Sequence, residues 1–168
     1  MQIYEGSPRQ DWEEVLRSVG SYLDDRAMRG IAVMETNNGL VIQGTAVSNP
    51  ATGSWGDSMG KAEHETLILD DDQIGKFMDD ALLRRGQAGD GSPKRYELEL
   101  RVIGRYFDEA RPRDLVFFEV DGAYVARLTK TGQGGLKQEL VEFTREDVAD
   151  LIARAPALRQ PDPAAKKG

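Results

Sequence analysis

The sequence predicts an α+β protein built by internal duplication of an α-β-β-β-α unit, with one or more antiparallel sheets packed against helices. Three observations predict it: two helical segments align at a spacing of 84 residues, a hairpin signal follows each, and a strand and helix complete each copy. The predicted units are residues 1–86 and 87–158. The last ten residues, 159–168, read RQPDPAAKKG and are expected to form a disordered tail.

The first helix of each unit carries the clearest likeness. Each is expected to follow a Ser-Pro pair, with Ser7 and Ser92 as helix caps. The segment YELELRV alternates like a strand, but the alignment places its apolar positions on those of the first helix, so we predict a helix there too. Glycine in a helix interior costs about 1 kcal/mol relative to alanine, so its repetition predicts a close backbone approach, either to the sheet or between the two repeated helices. The identical pairs are Glu13/Glu97, Leu16/Leu100, Arg17/Arg101, Gly20/Gly104, Tyr22/Tyr106 and Asp24/Asp108.

A hairpin is predicted after each of these helices. Asn38-Gly39 and Asp121-Gly122 each separate two β-rich runs, and both dipeptides tolerate the positive φ angles of tight hairpin turns. A third strand follows in each unit, ETLILD and then KQELVEFT. The last helices begin near two good capping residues, Asp70 and Thr144.

The six strands are expected to form either one largely antiparallel sheet or two abutting three-stranded sheets. Helical and strand periodicity predict which side chains face inward. The predicted inward residues are Leu16, Val19, Leu23, Ile31, Val33, Val41 and Leu67 in the first unit, and Leu100, Ile103, Phe107, Val116, Phe118, Val125 and Val141 in the second.

Composition excludes several classes of protein. The 168 residues include no cysteine, which removes disulfides and thiolate chemistry. No apolar run is long enough for a membrane span and no secretory signal is visible at the start, so a cytoplasmic location without membrane association is expected. The net charge of −7 lies entirely in residues 1–86, which hold 8 basic and 15 acidic residues. An acidic surface repels phosphate, so nucleic acid is not an expected partner, whereas a basic protein is a possible one.

The order α-β-β-β-α also resembles that of double-stranded-RNA-binding domains. Those domains contact phosphates from a lysine-rich start to the last helix. This chain has Asp70, Asp71 and Asp72 at that place in the first unit and Thr144-Arg145-Glu146-Asp147 in the second. The resemblance therefore concerns topology and does not extend to RNA binding.

Two groups of residues are candidate binding sites. A long Gly- and Ser-rich segment between the second and third strands carries Trp55, Met59 and His64, and loops of this length are often functional. The repeated polar residues form the second group, which would bind an anion in a cleft between the units or serve only in packing. They are Arg17, Tyr22, Arg101 and Tyr106.

Neither a cofactor nor a metal is expected. Asp70, Asp71 and Asp72 fall where a helix cap and first turn are predicted, which explains them without a cation. His64 has no cysteine nucleophile to activate, so no catalytic set is visible. We therefore expect a non-catalytic protein-interaction module of adaptor or chaperone-like kind, with a homodimer as a possible state. The alternative is a small-ligand or anion sensor that uses a cleft between the repeats.

Overall fold

The computed structural model describes residues 11–37, 39–47, 62–87 and 94–156. The order α-β-β-β-α occurs twice within them. Ser7, Ser92, the expected tail and most of the segment between the second and third strands lie outside these residues. The elements are α1 (Trp12–Asp25), β1 (Met28–Thr36), β2 (Gly39–Val47), β3 (Ala62–Asp70), α2 (Asp71–Gln87), α3 (Arg95–Ala110), β4 (Asp114–Val120), β5 (Ala123–Gly132), β6 (Gly135–Phe143) and α4 (Arg145–Arg154).

All six strands belong to one sheet in the order β3-β2-β1-β4-β5-β6, and every neighbouring pair is antiparallel. The first of the two predicted sheet arrangements is therefore correct. The two halves meet where β1 pairs with β4, and Val33 lies opposite Phe117. These two residues are 84 positions apart, the same spacing that aligns the helices.

Helices α1 and α3 pack against each other so closely that backbone meets backbone. A Cβ atom on Gly20 would lie 2.3 Å from the carbonyl oxygen of Tyr96, and one on Gly104 would lie 2.4 Å from that of Trp12. Because each glycine lacks a side chain, the first turn of the other helix can pack directly against it. The predicted close approach of the two repeated glycines is confirmed.

Polar contacts between the same helices are reciprocal. The Asp24 carboxylate accepts hydrogen bonds from the backbone N–H groups of Tyr96 and Glu97, at 3.1 and 3.0 Å. The Asp108 carboxylate accepts from Trp12 and Glu13 in the same way, at 2.8 and 3.0 Å. Because the first N–H groups of a helix have no partner within it, each helix supplies the cap that the other one needs.

The helices cover one face of the sheet, and alternate residues of each strand fill the core between them. The predicted inward residues of α1, α3 and β1 are buried as expected. Four predicted inward residues, Val41, Val116, Phe118 and Val125, instead lie on the opposite face. The residues beside them in sequence face the core in their place, namely Leu40, Ile42, Leu115, Phe117, Tyr124 and Ala126. In β4 both alternating sets are apolar, so periodicity alone does not identify the inward one.

Two helix caps and one hairpin turn are as the sequence predicts, whereas the start of α1 is not. Asp70 and Gln73 cap α2 reciprocally, and Thr144 and Asp147 form a capping box on α4. Asp121 and Gly122 adopt the positive φ angles predicted for their turn, 51° and 82°. Helix α1, however, begins later than expected, at Trp12, and Asp11 is its local cap. Among the described helices, none has the length and apolar composition to cross a bilayer.

Candidate functional site

The repeated polar residues lie within the helix layer. Arg17 and Arg101 are each 6% exposed, and each pairs with a glutamate of the other helix, Glu97 and Glu13 respectively. Both guanidinium groups therefore already contact carboxylates between the two helices.

The repeated tyrosines are partly buried in the helix layer as well. The ring of Tyr22 contacts that of Phe77, and the ring of Tyr106 contacts that of Phe143. The structure therefore places the two tyrosines in packing contacts with other aromatic rings. A binding role for the four repeated polar residues stays a prediction.

Of the other predicted site residues, the structure describes only His64. Trp55 and Met59 lie outside the described residues. His64 lies on strand β3, not in a loop, and its Nδ1 atom is 3.3 Å from the hydroxyl of Thr45 on β2. The strand therefore begins earlier than the sequence predicts, at Ala62.

The sheet face away from the helices, here called the open face, carries a continuous row of side chains. Directly paired strand residues point to the same face, so the register identifies neighbours across all six strands. The central row is Ile68–Val41–Met34–Val116–Arg127–Leu140. The adjacent row is Thr66–Gln43–Ala32–Phe118–Val125–Glu142.

The middle of the open face is apolar and accessible. Met34 is 44% exposed, Phe118 is 43% exposed and Ile68 is 69% exposed. None of the four described helices covers these side chains. A large exposed apolar patch of this kind is typical of a surface that binds a partner.

A cleft of about 790 Å³ opens on the helix side, near the hairpin that joins β4 and β5. Most of its wall comes from α3, β4 and α4 in the second half. Arg29 and Gly30, at the start of β1, add a short stretch of the first half. The lining residues are Arg29, Gly30, Arg95, Tyr96, Glu99, Glu119, Asp121, Gly122, Arg145, Val148, Ala149 and Ile152.

Two carboxylates at the floor of the cleft are held by a hydrogen-bond network. Glu119 accepts from the Tyr96 hydroxyl at 2.6 Å, and Glu99 accepts from the Tyr124 hydroxyl at 3.1 Å. The guanidinium group of Arg95 contacts both carboxylates. Burial raises the pKa of Glu99, and it raises the pKa of both tyrosine hydroxyls.

Two further arginines line the cleft. Arg145 donates from Nε and Nη2 to the carbonyl oxygen of Asp121, at 2.9 and 2.6 Å. The side chain of Arg29 is exposed and makes no hydrogen bond or ion pair with the described residues. Guanidinium groups bind carboxylates and phosphates through paired N–H donors. The cleft thus combines guanidinium donors with an apolar wall from α4.

The polar floor of the cleft exists in only one half. At the spacing of 84 residues, Glu99 corresponds to Val15 and Tyr124 corresponds to Leu40, and both apolar residues are buried. Glu119 corresponds to Glu35, and burial raises the pKa of Glu35 to about 7. The cluster does not repeat in the first half, so the repeat pattern does not predict it. The sequence signal for this cluster is a polar residue in the second half at a position where the first half has an apolar residue.

Comparison of this chain with protein-family models, with curated proteins and with solved structures found no match.

Proposed function

We propose that this protein is a non-catalytic interaction module, of adaptor or chaperone-like kind, that binds a partner protein on its open face. The observation that carries the proposal is the central row of the open face, in which every strand except β5 presents an apolar side chain and β5 presents Arg127. The width of the face follows from six strands about 4.8 Å apart, and its length follows from about 3.3 Å per residue along a strand. Multiplied together, these give an area of roughly 700 Å². One partner's share of a standard protein interface is about 800 Å², so the face has the size that a specific partner needs.

We propose further that the bound segment is apolar with basic flanks. The first half of the chain holds the whole net charge of −7. Asp70 ends strand β3 at an edge of the sheet, and the first turn of α2 adds Asp71 and Asp72. Opposite charge at the rim of an apolar surface steers the partner and fixes its orientation.

Two synthetic peptides test this proposal by fluorescence anisotropy. One alternates valine with lysine over eleven residues, and the other alternates valine with glutamate. We expect the lysine peptide to bind with a Kd of about 10–100 μM and the glutamate peptide to bind at least tenfold more weakly. The double variant Met34→Gln/Phe118→Gln should lower affinity for the lysine peptide at least tenfold, because it places polar side chains in the apolar middle of the open face without changing its charge.

Leu83→Gln is the matched control, since Leu83 is 46% exposed but lies on helix α2. This variant should bind the lysine peptide as the wild type does. Equal binding of both peptides by the wild type, or unchanged binding by the double variant, would overturn the proposal.

A second candidate function is the binding of a small anion in the cleft of the second half. The arginines of the cleft support it, because Arg29 and Arg145 have N–H donors that no described residue uses, and these lie beside an apolar wall. Phosphates and dicarboxylates share the chemistry that such donors recognise, so thermal unfolding with pyrophosphate and with succinate distinguishes the two sources. At a concentration of 100 times Kd, a bound anion adds about 2.7 kcal/mol to the free energy of unfolding.

We expect Arg29→Gln to remove the shift in Tm that one of these anions causes. Arg113 stands 84 positions from Arg29 and does not line the cleft, so Arg113→Gln is the control and should keep the shift. No shift with either anion, or an equal loss in both variants, would count against the cleft as an anion site.

We also propose that the two halves arose by internal duplication. The proposal is supported by contacts that exchange when residue numbers shift by 84. The ion pair Arg17–Glu97 has its counterpart in the ion pair Arg101–Glu13. The cap that Asp24 provides for α3 has its counterpart in the cap that Asp108 provides for α1. A duplicated origin explains why a single helix pair carries two copies of each contact.

A further inference from the structure

Strand β6 is an edge of the sheet, and it is unusually accessible. It pairs with β5 on one side, from Tyr124 opposite Phe143 to Gly132 opposite Gly135. No strand within the described part of the chain pairs with its other side. All residues from 135 to 140 are exposed, and Leu136 and Leu140 are 61% and 77% exposed. An exposed apolar edge strand without proline is a template for another strand.

The sequence of β6 is complementary to itself in an antiparallel pairing. A twofold axis through Gln138 places Leu136 opposite Leu140 of a second copy, and Lys137 opposite its Glu139. Each of these pairs then occurs twice. Apolar pairs and opposite charges that face each other across strands both stabilise the pairing. An axis through Glu139 would instead oppose two like charges.

Lysine on an edge strand often serves to prevent pairing. Here the glutamate two positions later provides Lys137 with an opposite charge in the second copy. Glu139 already lies 3.0 Å from Lys130 on the neighbouring strand β5. The second lysine would therefore join an existing ion pair.

The distribution of charge favours β6 over the other edge strand, β3. Residues 87–168 hold 14 basic and 14 acidic residues, so the half that contains β6 is neutral. Strand β3 belongs to the half that carries the net charge of −7. Pairing through β3 would bring two negative halves together, and pairing through β6 does not.

We propose that β6 pairs antiparallel with β6 of a second copy about a twofold axis through Gln138. The dimer has one continuous sheet of twelve strands, and the two open faces lie side by side in it. Twofold symmetry makes the interface self-complementary and closed. This inference concerns the sheet edge and does not depend on what binds the open face.

The absence of cysteine makes the register directly testable. Residues opposite each other in an antiparallel pair have Cα atoms about 4.5–5.5 Å apart, within the range that a disulfide spans. Under mild oxidation we expect Gln138→Cys to give mostly covalent dimer. Thr66→Cys, which lies on the other edge strand β3, is the control and should form no covalent dimer.

Two further variants test the pairing itself. A mixture of Leu136→Cys and Leu140→Cys should form the mixed disulfide dimer, whereas Leu136→Cys alone should not, because its two copies lie roughly 13 Å apart in this register. Lys137→Glu should raise the dimer dissociation constant at least tenfold in sedimentation velocity, since it places two glutamates opposite each other. A monomeric wild type at 100 times the concentration of the oxidation experiment would overturn the proposal. Equal crosslinking of the Gln138→Cys and Thr66→Cys variants would also overturn it.

Discussion

Replacing Gly104 by alanine should lower the free energy of unfolding by about 2–3 kcal/mol. The new methyl group would lie 2.4 Å from the carbonyl oxygen of Trp12, and that oxygen belongs to backbone, which cannot rotate away. The gain in helix propensity, about 1 kcal/mol, does not compensate for moving two helices apart. Gly20→Ala should behave alike, because its methyl group meets Tyr96 in the same way. Urea or thermal unfolding measures both, with an expected loss of roughly 5–10 °C in Tm.

Gly75 provides the matched control for this prediction. It lies inside helix α2, and a Cβ atom there would meet nothing within 4 Å. Gly75→Ala should therefore raise the free energy of unfolding, by up to about 1 kcal/mol, through helix propensity alone. A Gly104→Ala variant as stable as Gly75→Ala would show that α1 and α3 do not approach as closely as described.

Glu97→Ala should cost about 3 kcal/mol of stability. Glu97 accepts a hydrogen bond from Nε of Arg17 at 3.2 Å, and both side chains are only 8% exposed. Removing the carboxylate takes away an opposite charge from a guanidinium that water hardly reaches. The reciprocal change, Glu13→Ala, should cost less because the Glu13 side chain is 20% exposed. Equilibrium unfolding in urea checks the order of the two effects.

Two controls separate buried charge from charge in general. The pair Arg154–Asp150 lies on the surface of α4, so Asp150→Ala should change stability by less than about 0.5 kcal/mol. Replacing both partners, as in Arg17→Met/Glu97→Met, should restore most of the loss, because apolar side chains of similar volume need no charge partner. A Glu97→Ala variant no less stable than Asp150→Ala would contradict the argument.

The sequence predicted the element order, the hairpin at Asp121-Gly122 and the caps at Asp70 and Thr144, because each depends on local chemistry. It also predicted helix α3 against its local strand-like alternation, since the spacing of 84 residues outweighed that pattern. The predicted inward face of β4 was wrong because Val116 and Phe118 are as apolar as the core residues beside them. The same spacing aligns Val33 with Phe117 and thus points to the correct face.

The candidate site was less predictable than the fold. The cleft depends on residues far apart in sequence, such as Arg29, Glu99 and Arg145, that only the folded sheet brings together. The open face depends on register, and a shift of one residue would reverse which side chains it presents. Neither property is visible in a local motif.

The reciprocal helix caps make the first helix of each half depend on a residue of the other half. Lys94 precedes α3 without capping it, so the side chain that caps the first turn of α3 is Asp24, which is 72 residues away from Tyr96. The first turn of α1 has a local cap, Asp11, but its first two N–H groups bond to Asp108, which lies 96 residues from Trp12. A half of this chain taken alone therefore lacks a group that completes its own first helix. We therefore expect the two halves to unfold together, and we expect folding to be slower than in proteins whose helices cap themselves, because contacts between residues far apart in sequence slow folding.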